Sequence, residues 1–143
     1  MKVLLIAGFG PITSDVEQSR RLYEDALGIT FKKEEGDYRH TEEVKGANTF
    51  AIWPLDQAAE SCFGSSQLPD DVVPPQAWLE FDVEDVAEAT HEMEESGYKL
   101  LVANRTEPWG QVVSRLLSPE GLLVGLTMTP WMREPGSASE DAR

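Results

Sequence analysis

Residues 77–86 read Ala77-Trp78-Leu79-Glu80-Phe81-Asp82-Val83-Glu84-Asp85-Val86. Gln76, Trp78, Glu80 and Asp82 alternate with Ala77, Leu79, Phe81 and Val83, the two-residue period of a strand with two unlike faces. Asp85 can then cap a helix, with Glu88 at the reciprocal position three residues on. Val86, Ala89 and Met93 form its apolar face, and Gly97 is a natural stop. Beyond it, Tyr98–Ala103, Gln111–Leu117 and Leu122–Thr129 read as three more strands. Ser118-Pro119-Glu120-Gly121 is a strong turn between the last two.

Upstream, the same order occurs once before. Lys2–Phe9 is a continuous apolar run, as expected of a covered strand. Ser14 stands at a helix start with Glu17 at capping-box spacing. Val16, Leu22, Tyr23, Ala26 and Leu27 share one helical face, and Gly28 ends it. Three strand candidates follow, Ile29–Lys33, Tyr38–Val44 and Asn48–Leu55, separated by Gly36-Asp37 and Lys45-Gly46. Asp15 and Asp85 are 70 residues apart, and Gly28 and Gly97 are 69 apart. The repeat is one of pattern, with little identity. It predicts an α+β fold, in which two βαβββ modules, about 1–64 and 76–130, form a cupped mixed sheet with helices outside. The concave face is then the natural ligand site. At the end of the first module Gln57–Phe63 can make one or two helical turns before an irregular connector with Pro69, Pro74 and Pro75. Residues 131–143 are expected to form a largely disordered tail, since Glu134–Arg143 has no large apolar residue.

The chain has 143 residues, enough for one domain, and a net charge of −14. Such a surface repels phosphate backbones and anionic lipid, so neither nucleic acid nor a membrane surface is an expected partner. The first apolar run is broken by Gly8, Gly10 and Pro11, too early for a signal-peptide core or a membrane span. Cys62 is the single cysteine. No intrachain disulfide can form, which fits a reducing, cytoplasmic compartment. A lone cysteine can be a nucleophile, but small buried apolar residues of this type are commoner.

Gly8-Phe9-Gly10-Pro11-Ile12-Thr13-Ser14-Asp15, followed by Ser19, Tyr23, Leu27 and Gly28, resembles the opening of the vicinal-oxygen-chelate superfamily, which includes glyoxalases, bleomycin-resistance proteins and dioxygenases. Trp78–Val86 is similar to its "HIAFEVDDV" segment, Glu107-Pro108-Trp109-Gly110 to its "PWG", and Ser118–Leu126 to its "DPDGNLIEL". The likeness spans residues 1 to about 130. It implies the cupped fold, a small organic ligand and a homodimer. It also implies a divalent ion held by His, Gln or Glu at four strand positions. Here the first falls on Gly8, the third on Trp78 and the fourth on Gly125. The second lies within Asn48–Leu55, which lacks all three residue types. Glycine has no side chain and an indole N–H only donates, so neither binds a cation. The expectation is therefore no metal ligands and no cofactor.

By the same resemblance, Trp78, Glu80 and Asp82 face the cup. Trp53 or its neighbour Phe50 projects from the matching strand of the first module, and Trp109 enters from a turn with Gln111 behind it. Together these predict a flat-walled apolar pocket for a planar or aromatic molecule. The same tryptophans could instead simply fill the core. Glu80 is the sharpest candidate for chemistry. A carboxylate among tryptophans loses solvation and could act as a general base or meet a cationic ligand; the alternative is an ion pair with Arg105 or Arg115. His40 shares a strand face with Glu42 and is a second acid–base candidate, or else an exposed polar edge. His91 lies among Glu92, Glu94 and Glu95 and reads as solvated. The expected function is metal-free binding of a small planar molecule. The alternatives are a metal-independent lyase or isomerase using Glu80 or His40, and a metal-dependent glyoxalase or dioxygenase with unusual ligands.

Overall fold

The computed structural model describes residues 1–133. The expected tail at 134–143 lies outside the described residues. β1 (Val3–Thr13) leads into α1 (Val16–Arg20), which continues as a π-helical segment over Arg21–Ala26. Short strands β2 (Lys32–Lys33) and β3 (Arg39–Thr41) precede β4 (Phe50–Pro54) and α2 (Leu55–Phe63). The second module runs β5 (Ala77–Val83), α3 (Val86–Glu95), β6 (Val102–Thr106), β7 (Val112–Leu117) and β8 (Leu123–Met128). A 3-10 turn, Pro130–Met132, follows.

All eight strands form one mixed sheet in the order β2-β3-β4-β1-β5-β8-β7-β6. Within each module the first strand lies parallel to the last, β1 beside β4 and β5 beside β8. The modules meet where β1 runs antiparallel to β5. The α+β fold of two βαβββ modules is therefore as expected from the repeat.

Both helix starts are capped by aspartate. Asp85 Oδ1 accepts from Glu88 N at 3.0 Å, as anticipated. In the first module Asp15, not Ser14, caps, accepting from Gln18 N at 3.1 Å. The apolar face foreseen for the first helix is not buried: Leu22 and Leu27 are 50% and 60% exposed. The π-turn is the reason. Leu27 N donates to Leu22 O, a five-residue step that rotates the following side chains off the 3.6-residue stripe.

Strand alternation sorts the core into two layers. Leu126, Val83, Val86 and Ala89 pack between the sheet and α3 on the outer face. Ile12, Ala51, Trp78, Val113 and Leu123 pack on the inner face together with Ala58 and Cys62 of α2. The inner face of the cup is thus already roofed by the helix that ends the first module. At the C-terminal end Trp131–Arg133, grouped with the tail on sequence grounds, is placed. Arg133 Nε donates to Asp82 at 3.0 Å, and Asp82, fully buried, also accepts from Thr129 N at 3.0 Å and Thr129 Oγ1 at 2.8 Å.

Candidate functional site

Two glycines shape the floor of the cup. Gly8, Glu80 and Gly125 lie opposite one another on β1, β5 and β8. A Cβ on Gly125 would sit 2.7 Å from Glu80 Cγ, so the missing side chain is what lets Glu80 lie across β8. A Cβ on Gly8 would sit 2.9 Å from Trp78 Cη2 and 2.7 Å from Thr49 O. Trp78 has the space over β1, is 6% exposed, and its indole N–H donates to Ala51 O at 3.0 Å. It fills the core and does not wall an open pocket.

Glu80 sits at the centre of a polar network. Its Oε2 accepts from Arg115 Nη2 at 3.0 Å and its Oε1 from Gln111 Nε2 at 3.3 Å. Of the two outcomes foreseen for Glu80, the ion pair is the one formed, and with Arg115. The pair is well covered: the Arg115 and Glu80 side chains are 7% and 13% exposed. Gln111 also donates to Thr127 Oγ1 at 2.8 Å and accepts from Trp109 Nε1 at 3.0 Å. Trp109 itself is 59% exposed and stays on the rim.

The arginine side of the network reaches α2. Arg115 Nη1 donates to Ser61 Oγ at 3.2 Å, and Arg105 Nη2 donates to the same oxygen at 2.9 Å. Arg105 Nη1 holds the Ser61 carbonyl at 2.9 Å, and Glu107 lies 3.1 Å from Arg105 and 3.9 Å from Arg115. Arg105 Nε is buried without a partner. The Arg115 guanidinium lies 5.2 Å from the centroid of the Trp53 ring, a cation–π distance. Trp53 remains half-buried on the inner face, as does Tyr38. Burial, with the Glu80 charge nearby, pushes the Tyr38 phenol up.

Phe50, one of the two wall candidates on β4, faces the other way. It packs against Phe9, Tyr23 and Phe31 at centroid distances of 5.6, 5.7 and 6.0 Å, under the first helix. Phe50 and Trp53 are three positions apart, an odd step, so side chains that alternate with period two put them on opposite faces. His40 and Glu42 do meet: Nδ1 lies 2.7 Å from Glu42 and Nε2 lies 2.8 Å from Glu34. Burial alone would lower the imidazole, but the two carboxylates outweigh it and its pKa is raised. The ring stacks on Tyr38 at 5.7 Å, away from Glu80 on the far side of β4 and β1. His91, 3.4 Å from Glu95, is a solvated helix residue.

A separate recess of about 500 Å³ opens between the end of α2, the connector and the start of β6. Cys62, Phe63, Val72, Leu101 and Leu117 are among its lining. Burial pushes the Cys62 thiol up, which favours the inert apolar role over a nucleophilic one.

A family model, the glyoxalase/bleomycin resistance protein/dioxygenase superfamily, matches residues 6–126. The chain belongs to this superfamily. Among solved structures it is similar to a superfamily member from Vibrio splendidus 12B01, at 17% identity and a TM-score of 0.61, covering 88% of this chain and 100% of that one. A hypothetical protein from Bacillus halodurans C-125 aligns at 14% identity and 0.59, covering 91% and 97%. Streptomyces coelicolor methylmalonyl-CoA epimerase, solved with 2-nitronate-propionyl-CoA, aligns at 13% and 0.54, covering 94% and 100%. At these identities the likeness is one of fold. No curated protein matches the chain.

The superfamily resemblance implies a divalent ion, and the residues at its positions do not fit one. Gly8 and Gly125 offer no side chain, and Trp78 has already given its one polar hydrogen to Ala51. On β4 the inner-face residues are Ala51 and Trp53. Glu80 is the one carboxylate in this row, and both its oxygens are engaged. Among the described residues no three His, Cys, Asp or Glu side chains converge as a cation site. Sequence reading had named Arg105 and Arg115 only as foils for Glu80 and had missed Ser61 and Tyr38. No local signal marks them, since their importance lies in α2 folding back over the sheet.

Proposed function

We propose that this superfamily member binds a small planar organic molecule on the inner face of its cup, beside Trp53, Tyr38 and Arg115, without a divalent ion. The observation that carries the reading is the row Gly8–Glu80–Gly125, where ligand side chains are replaced by glycine and the remaining carboxylate is tied to Arg115 and Gln111. Half-buried Trp53, with a guanidinium on its ring, supplies a flat surface on which an aromatic molecule can stack. Its exposure also makes it a reporter. Planar ligands should quench tryptophan fluorescence in the wild type and lose that effect in Trp53→Phe. Elemental analysis should find no stoichiometric nickel, zinc or manganese. A bound ion whose removal by chelator lowers thermal stability would overturn the reading.

Turnover by Glu80 or His40 has less support. Glu80 is already held by Arg115 and Gln111, and both His40 nitrogens already face carboxylates. A ligand returned chemically unchanged after long incubation is the expected outcome.

A homodimer suits the outer face. Ile6 and Phe9 of β1 are 50% and 45% exposed, in addition to Leu22 and Leu27, apolar side chains that a second copy could cover. Phe9→Glu should convert a dimer seen by light scattering into a monomer. Among the described residues no helix is long and apolar enough to cross a membrane, and the unpaired Cys62 suits a reducing cytoplasm.

A further inference from the structure

Two guanidinium groups from neighbouring strands converge on one neutral oxygen. Arg105 Nη2 and Arg115 Nη1 point at Ser61 Oγ from 2.9 and 3.2 Å, and Arg105 Nη1 takes the carbonyl of the same residue. A hydroxyl is a weak partner for two cations, whereas a carboxylate matches the planar fork of an arginine and accepts from both edges. Arg105 Nε is also buried without any acceptor, and an orphaned donor of this kind marks a place where a partner is missing. Of the two, Arg115 also lies over the Trp53 ring, 5.2 Å from its centroid.

We infer that the molecule bound in this cup is a planar aromatic carboxylate, one oxygen of which takes the seat now held by Ser61 Oγ. The inference rests on the cup being a ligand site and adds the charged group that the ligand carries. Glu80 and Glu107 already balance the two arginines, so the acid is not drawn in by excess positive charge. It is selected because it replaces a neutral acceptor with an ionised one and satisfies the unpaired Nε. The acid group sits on the arginines and its ring extends along Trp53.

The test compares 2-naphthoate with 2-naphthamide, equal in shape and different in charge, by tryptophan quenching. The acid is expected to bind at least about tenfold more tightly than the amide, the preference that charge-assisted hydrogen bonds confer. Arg105→Gln, at a side chain 39% exposed and therefore replaceable, should bring the two to equal affinity. Ser61→Asp places a carboxylate of the chain itself in the seat. It should raise the melting temperature and weaken the acid at least about tenfold while leaving the amide unchanged, since only the acid competes for the arginines. Ser61→Ala should tighten the acid. Equal binding of acid and amide to the wild type would overturn the inference and leave the proposed function standing. An unchanged acid affinity in a folded Ser61→Asp protein would also overturn it. Binding of neither compound, nor of other planar molecules, would remove both.

Discussion

Cutting the Arg115–Glu80 pair tests the interior of the cup most directly. Both side chains are nearly covered, 7% and 13% exposed, so neither charge can be handed back to bulk water. Arg115→Met leaves Glu80 with the Gln111 amide alone and removes the guanidinium from Trp53 and Ser61. Breaking one partner of a buried pair costs 3–5 kcal/mol; the retained Gln111 bond and residual exposure argue for the lower end, about 3 kcal/mol. Glu80→Met strands a cation that still has Ser61 and a Glu107 oxygen at 3.9 Å, so about 2 kcal/mol is expected. Replacing both removes the stranded charge and leaves apolar packing, so the double variant should cost no more than about 2 kcal/mol. The coupling is then about 3 kcal/mol, at the upper end for side chains in contact. Urea unfolding followed by tryptophan fluorescence reads all four proteins. In thermal melts Arg115→Met should lie about 10 °C below wild type, given about 3–5 °C per kcal/mol for a domain of this size. A coupling below about 0.5 kcal/mol would refute the reasoning, because it would mean that water reaches the pair.

The two floor glycines should respond differently. Gly125→Ala meets only the Glu80 stem at 2.7 Å; it should destabilise the wild type by about 1–3 kcal/mol but add little when introduced into Glu80→Ser, which carries its own cost from the stranded Arg115. Gly8→Ala meets the Thr49 carbonyl as well as Trp78, so trimming the tryptophan in Gly8→Ala/Trp78→Phe should not restore stability in denaturant melts. His40 should confer a pH dependence. Its folded pKa is raised above 6.5, so the stabilisation is fully present below 6.5 and is lost as pH rises through the folded value. Comparison of His40→Gln with wild type should therefore show a stability gap near pH 6 that closes as pH rises through the folded value, of at most about 1 kcal/mol because the partner carboxylates are exposed. Asp82→Asn should cost about 2–3 kcal/mol, since the new amide hydrogens confront Thr129 N and Arg133 Nε; hydrogen exchange should quicken first around Thr129.

The second module was the more legible half. Its β5 has the bounds read from alternation alone, and Asp85 caps as foreseen, because both signals are local. In the first module β2 and β3 shrink to Lys32–Lys33 and Arg39–Thr41, the two outermost strands on that side of the sheet, with β2 at its edge. Leu22 and Leu27 misled because a π-turn changes the period without changing composition. At the site, the family resemblance turned Trp78 and Glu80 toward the inner face, where Trp78 packs in the inner core and Glu80 meets Arg115. What the sequence could not announce was depth. Whether Trp78 lines a void or plugs it depends on Gly8 lying across the sheet, and whether Glu80 is a free base depends on Arg115, 35 residues away.

The position of α2 has a consequence for how the molecule comes apart. The helix belongs by sequence to the first half, yet its Ser61 is held by β6 and β7 of the second and its Ala58 and Cys62 share one core with Val102 and Val113. Neither half can therefore keep its interior dry once the other is lost. A duplicated architecture would allow stepwise melting, module by module; here the inserted helix acts as a keystone that binds the copies into a single cooperative unit.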